Sequence, residues 1–175
     1  MHGRRLLMVL WMLFVPRLAG CGASLATAYD ELGTRQIRVT ATTGMVADLV
    51  RNVGGERVTV TALMGPGVDP HLYKPSARDI LALENADVIA YGGLELEGRM
   101  TETFEKLERL GKVTFAVSAG LDHARLIPAG SGYDPHIWFD VALWQEATKT
   151  VAAELSALDP GSAELYAANA ERYLA

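Results

Sequence analysis

The feature that most constrains the fold is a regular alternation of strand-like and helix-like segments. Short runs rich in β-branched and apolar residues are separated by stretches whose apolar residues recur every three or four positions, as on one helix face. Strands joined through helices run parallel, and a parallel sheet is covered by helices. The chain is therefore predicted to form an α/β fold with a parallel β-sheet flanked by helices. The predicted strands are 37–41, 58–63, 86–91 and 113–117.

The sequence also indicates where the helices begin and end. Gly54-Gly55 is expected to stop the first helix, 76–79 fits a capping box for the second, and Asp140 is expected to cap the fourth. The last helix is expected to expose an apolar stripe that includes Leu165, Tyr166 and Leu174. The predicted helices are centred on 46–53, 76–85, 100–107, 140–155 and 162–175.

The N-terminus has the layout of a secretion signal. A basic start at Arg4 and Arg5 precedes an apolar run over 6–15, which is too short to span a bilayer comfortably, and a small-residue site ends at Cys21. We predict that 1–20 is a signal peptide, that Cys21 is lipidated, and that 21–35 contains this cysteine and a tether. An ordinary secreted chain, in which Cys21 is coincidental, is the alternative. Since Cys21 is the only cysteine, an intrachain disulfide and a cysteine-based metal site are excluded.

The charge balance disfavours a nucleic-acid partner. The chain has 16 basic and 21 acidic residues, and removal of 1–20 would take away three arginines and leave a net charge near −8. No basic stripe is available to neutralise phosphates. The sequence also lacks a Gly-x-Gly-x-x-Gly motif and a phosphate-binding Gly-Lys-Ser/Thr motif, so a nucleotide site has no support.

The tripeptide Asp-Pro-His occurs twice and supplies the candidate metal ligands, His71 and His136. Imidazole is the commonest protein metal ligand. Proline fixes its own φ and favours an extended conformation for the preceding residue, so the histidine that follows has a restricted approach direction. The carboxylates of Asp69 and Asp134 could orient the two rings or bond to the turns before proline.

The predicted topology places both histidines at one edge of the sheet. His71 follows the second strand and His136 follows the loop after the fourth, and ligands of parallel sheets bind at the carboxyl ends of strands. The two residues are 65 positions apart, so only the fold can bring them together. The alternative is that each histidine lies in a helix-entry loop and bonds only to backbone.

These motifs closely resemble the metal-binding solute-binding lipoproteins of bacterial ABC importers, known as the cluster A-I or TroA-like family. The resemblance covers essentially 36–175 and implies a two-lobed protein with a rigid connecting helix and one metal ion between the lobes. His71 and His136 would be the ligands from the first lobe, and a Glu or His and an Asp would come from the second. The segments that carry the resemblance are 42–48, 64–73, 86–89, 92–97 and 134–140.

By this resemblance, 36–160 is the N-terminal metal-binding lobe and 161–175 is the start of the connecting helix, with the second lobe beyond the chain. The expected function is capture of Mn²⁺, Zn²⁺ or Fe²⁺ outside the cytoplasmic membrane and delivery to an ABC permease by a lipid-anchored monomer. The loop 118–133 has no His-rich run, and His123 is expected to be solvated, which weakly favours manganese or a broad specificity.

Two other functions are alternatives to metal transport. A metallohydrolase would need a general base near the metal, and Asp140 is the only nearby candidate, so an enzyme is not expected. A surface adhesin or interaction module is the second alternative, and the sequence offers no repeat or aromatic patch in its favour.

Three aromatic residues near the motifs allow two interpretations. Tyr73, Trp138 and Phe139 could shield a metal from water, or they could pack in the core. Glu95 and Glu97, in the loop after the third strand, are predicted to be solvated surface acids.

Overall fold

The computed structural model describes Gly33 and residues 35–175. The predicted signal peptide, the predicted lipidation site Cys21 and most of the predicted tether lie outside the described residues. Within the described part of the chain, no helix is long and apolar enough to cross a membrane.

A four-stranded parallel sheet forms the centre of the fold, and its strand order is β2-β1-β3-β4. This architecture confirms the predicted fold class. A short antiparallel pair, β5 and β6, lies within the segment 118–133, which the sequence predicts as a loop. The strands are β1 (Ile37–Ala41), β2 (Val58–Ala62), β3 (Val88–Tyr91), β4 (Val113–Ala116), β5 (Pro128–Ala129) and β6 (Gly132–Tyr133).

Within the described residues, five α-helices connect and cover these strands, and the N-caps of two of them follow signals predicted from the sequence. The capping box is present, because Ser76 accepts the amide of Asp79 and the Asp79 carboxylate accepts the amide of Ser76. Asp140 caps the long fourth helix by accepting two backbone amides, as predicted. The helices are α1 (Gly44–Gly54), α2 (Ala77–Asn85), α3 (Thr101–Arg109), α4 (Val141–Leu158) and α5 (Ala163–Leu174).

The sheet separates two apolar clusters. The larger cluster lies between the sheet and α1, α4 and α5, where Val39 and Ala90 of the strands meet Leu49 and Leu155 of the helices. The smaller cluster contains Ile89 together with residues of α2 and α3. Because Ile89 and Ala90 are consecutive in β3, their side chains point to opposite faces of the sheet. Both faces are thus covered, and the loops at the strand ends remain available for ligands.

Helix α5 packs into the larger cluster, so the prediction that Tyr166 is exposed is wrong. Tyr166 is fully buried, whereas Leu165 is exposed and Leu174 is half-buried. The Tyr166 hydroxyl donates to Asp159 Oδ2 at 2.8 Å, and Arg57 forms an ion pair with the same oxygen at 2.8 Å. Helices α1 and α4 cover the inner face of α5, which therefore needs no further domain to bury Tyr166.

Candidate metal site

The fold brings His71 and His136 together at the carboxyl edge of the sheet. His71 lies in the loop between β2 and α2, and His136 lies between β6 and α4. Their Nε2 atoms are 3.4 Å apart, and the ring centroids are 5.3 Å apart with an interplanar angle of 60°. The two side chains therefore direct the same ring nitrogen toward a shared point, as the predicted topology requires.

The His136 ring is held by the carboxylate two residues earlier. Asp134 Oδ1 accepts the backbone amide of His136 at 3.0 Å and approaches its Nδ1 at 2.6 Å. The hydrogen bonds from the backbone amide and from the ring of His136 both lower the pKa of Asp134. Asp134 is therefore a carboxylate at neutral pH and can only accept hydrogen bonds. Nδ1 must therefore carry the proton, and in the neutral ring the Nε2 lone pair faces His71.

The loop around His136 is also attached to the body of the protein. The amide of Asp134 donates to the carbonyl of Ile127 at 2.8 Å, and the side chain of Ile137 is buried in the larger cluster. These two anchors lie on either side of His136, so the backbone of this loop is fixed by packing as well as by its turn.

His71 has a different environment. Asp69 Oδ1 accepts the backbone amide of His71 at 2.9 Å, so this carboxylate supports the turn rather than the ring. His71 and the following Leu72 are exposed, with Leu72 61% exposed. The described ring contacts of His71 are those with His136, so its orientation depends on the opposite loop.

The spacing of the two nitrogens is suited to a shared cation. Two nitrogen ligands at about 2.05 Å from a tetrahedral ion are separated by about 3.3 Å, close to the 3.4 Å between the Nε2 atoms. Without an ion, Nε2–H of His71 can donate to the lone pair of His136. Within Gly33 and residues 35–175, no group of three or more His, Cys, Asp or Glu side chains is arranged to hold a metal. The described residues thus bring together two imidazole nitrogens that suit one shared ion.

The three aromatic residues near the motifs differ in their positions. The Trp138 ring is half-buried and lies 5.2 Å from the His136 ring in an edge-to-face arrangement. Tyr73 packs against the smaller cluster and donates to Asp79 at 2.7 Å, and burial with this bond raises its pKa to about 12. Phe139 is 82% exposed, so it neither packs in the core nor shields the histidines from water.

Sequence reasoning missed Glu97, which was predicted to be a solvated acid. Its side chain is 3% exposed and accepts the hydroxyl of Thr42 at 2.5 Å and the amides of Gly92 and Gly93 at 2.8 and 3.3 Å. Burial raises the pKa of Glu97, while these hydrogen bonds oppose the rise. Glu97 therefore ties the loop after β3 to the end of β1, at the same edge as the histidines.

The error at Glu97 has a local cause. Leu94 and Glu95 have φ values of 52° and 62°, in the left-handed region that side chains other than glycine rarely adopt. Two such residues in sequence reverse the chain direction. Leu94 to Glu97 therefore do not place leucines on one face and glutamates on the other, as an extended strand would. Glu95 is exposed as predicted, while Glu97 turns inward. The pair Gly92-Gly93, which leaves two backbone amides accessible, was the available signal.

The fold is an α/β lobe with two paired histidines at the carboxyl edge of its sheet. The family model described as "Zinc-uptake complex component A periplasmic" matches residues 39–175. The chain therefore belongs to this family of metal-uptake components, which confirms the resemblance to the TroA-like proteins.

Two curated relatives are similar along most of this chain. The manganese-binding lipoprotein MntA of Bacillus subtilis is 44% identical over 158 residues, which cover 89% of this chain and 50% of MntA. The manganese ABC transporter substrate-binding lipoprotein PsaA of Streptococcus mitis is 32% identical over 151 residues, or 82% of this chain and 49% of PsaA. The chain thus spans about half the length of the curated relatives it matches.

A solved structure of the periplasmic zinc-binding protein TroA from Treponema pallidum has the same fold in the matched region. The TM-score is 0.75 and the sequence identity is 41%, and the match covers 79% of this chain and 50% of TroA.

Proposed function

We propose that this chain is the metal-capturing lobe of an extracytoplasmic binding protein that delivers a divalent cation to an ABC permease. The observation that carries the proposal is the 3.4 Å spacing of two Nε2 atoms at the carboxyl edge of the sheet. His71 and His136 are the two ligands from this lobe. The cation is cargo, so the site needs to bind and release it and needs no catalytic group.

The relatives support the choice of cargo. MntA and PsaA are both named for manganese, and the matched solved structure is named for zinc. Imidazoles suit zinc and iron, whereas manganese favours more oxygen ligands, so ligands outside the described residues decide between these ions. By the resemblance these are a Glu or His and an Asp from a second lobe, connected through 161–175.

The proposed location follows from the same relatives and from the N-terminal sequence. Both MntA and PsaA are named lipoproteins, and PsaA is named as part of an ABC transporter. In this chain lipidation of Cys21 would hold the protein at the outer surface of the cytoplasmic membrane, where it can meet a permease as a monomer. Asp69 and Asp134 position the two histidines without binding the ion.

The experiment that tests the proposal is a calorimetric titration of the chain with Zn²⁺ and with Mn²⁺. We expect one ion per chain, and we expect the double variant His71→Ala, His136→Ala to lose this binding. His123→Ala is the matched control, because His123 is an exposed histidine in another loop, beside Tyr133. Unchanged binding in the double variant, or a loss in the control alone, would contradict the assignment.

A further inference from the structure

The loop that carries His71 is attached to the body of the protein at its two ends. Met64 at one end is buried in the smaller cluster, and Tyr73 at the other end packs against the same cluster. Residues 65–72, between these two points, are exposed or half-buried. The position of the loop therefore depends on its ends and on the hydrogen bonds of its turns.

The Tyr73 end is fixed by a hydrogen bond as well as by packing. Oδ2 of Asp79 accepts the Tyr73 hydroxyl at 2.7 Å, and the same oxygen accepts the amide and the hydroxyl of Ser76 at 2.7 and 2.6 Å. Asp79 lies in the first turn of α2, where the helix dipole favours a negative charge. Hydrogen bonds to an ionised acceptor are stronger than bonds between neutral groups. The Tyr73 hydroxyl is thus bound to the start of a helix.

The short distance along the chain carries this attachment to the metal ligand. Tyr73 is two residues after His71, and two residues span at most about 7 Å. Within the turn, the amide of His71 donates to Asp69 Oδ1 at 2.9 Å and the amide of Leu72 donates to the Asp69 carbonyl at 3.4 Å. The backbone of His71 is therefore held between a turn on one side and Tyr73 on the other.

We infer that Tyr73 is a positioning residue for His71, because its hydroxyl bond to Asp79 fixes the loop backbone before an ion arrives. This role rests on the proposed function, in which His71 is a ligand. Without the hydroxyl bond the end of the loop gains conformational freedom, and that freedom is lost again when the ion binds. The cost therefore falls on the affinity for the ion, and Tyr73 acts on the ion through His71.

The test is a competition titration of the chain with Zn²⁺ and a chromogenic chelator. Tyr73→Phe keeps the packed ring and removes the hydroxyl, and we expect about fivefold weaker binding, the worth of one hydrogen bond. Tyr91→Phe is the matched control, because Tyr91 packs against the same cluster from β3 and lies outside both Asp-Pro-His loops. It should keep the wild-type affinity. An unchanged dissociation constant in Tyr73→Phe, or an equal loss in Tyr91→Phe, would overturn the inference.

A second variant separates positioning from stability. Ser76→Ala removes the hydroxyl that accepts the Asp79 amide, so it should lower the urea midpoint while the bond between Tyr73 and Asp79 remains. We expect weaker Zn²⁺ binding in Tyr73→Phe and wild-type binding in Ser76→Ala. In the metal-free chain, the ring ¹⁵N signals of His71 should broaden in Tyr73→Phe alone. Affinities that follow the urea midpoints, or unchanged His71 signals in Tyr73→Phe, would contradict the positioning role.

His71→Ala distinguishes a failure of this inference from a failure of the proposed function. If His71→Ala binds Zn²⁺ as the wild type does, His71 is not a ligand and both the proposed function and the role of Tyr73 fail. If His71→Ala loses binding while Tyr73→Phe retains the wild-type affinity, only the role of Tyr73 fails.

Discussion

The two Asp-Pro-His loops have the same tripeptide and different surroundings. Asp134 bonds both the amide and the ring of His136, and the buried Ile137 follows directly. Asp69 bonds only the amide of His71, and the exposed Leu72 follows. His136 is thus a pre-oriented ring on a fixed loop, whereas the described ring contacts of His71 are only with His136, and we propose that the His71 ring adjusts when the ion binds.

The comparison predicts that both histidines are essential, and this is the largest expected effect. Zinc sites with four ligands bind with about 10–16 kcal/mol, so one ligand contributes about 3 kcal/mol, or about 100-fold in affinity. His71→Ala and His136→Ala should each weaken Zn²⁺ binding by about this factor in competition titrations with a chromogenic chelator. A loss in only one of the two variants would show that the ion is not shared.

Substitution of the residue after each histidine should change the free energy of unfolding by different amounts. Ile137→Ala removes a buried side chain and should lower the free energy of unfolding by about 2–3 kcal/mol. Leu72→Ala changes an exposed side chain and should alter it by less than about 0.5 kcal/mol. Urea denaturation of the metal-free chain measures both values. Equal destabilisation would indicate that the two loops are anchored alike.

The two aspartates provide the most specific test of the difference in ring support. Asp134→Asn exchanges a carboxylate partner of the His136 ring for an amide and should weaken Zn²⁺ binding by about 10-fold or more. Asp69→Asn keeps an oxygen that can accept the amide of His71, and the expected change is less than about threefold. Binding isotherms at one pH compare the pair directly. A reversed order would contradict the assigned roles.

Glu97 extends the comparison to a third loop at the same edge, with the smallest expected effect. Its pKa is raised by burial, so the folded state keeps this proton to higher pH than the unfolded state. Ionisation of Glu97 therefore lowers the free energy of unfolding as the pH rises from the ordinary glutamate pKa through the raised pKa. Urea midpoints of Glu97→Gln should lack this decline, while Glu95→Gln, which changes an exposed neighbour, should retain it.

Much of the fold could be predicted because its signals are local. The β-branched runs at the four strands, the capping box at Ser76 and the cap at Asp140 each act through neighbouring residues. The pairing of His71 with His136 followed from parallel topology, which brings the carboxyl ends of strands to one edge.

The remaining features depend on contacts between distant segments. Tyr166 is buried because α1 and α4 happen to cover its helix, and its hydroxyl meets Asp159, which Arg57 also reaches. Glu97 turns inward because two left-handed residues precede it. Likewise, the identical tripeptides give no indication that only one ring bonds its aspartate. Such asymmetry arises from packing around each loop.

The most direct test of the account is an imidazole ¹⁵N NMR spectrum of the chain, recorded before and after one equivalent of Zn²⁺. We predict that His136 carries its proton on Nδ1 in both spectra, and that Zn²⁺ shifts the Nε2 resonances of His71 and His136 together. The account is contradicted if the ion leaves these two Nε2 resonances unchanged, or if His136 without metal is protonated at Nε2 alone.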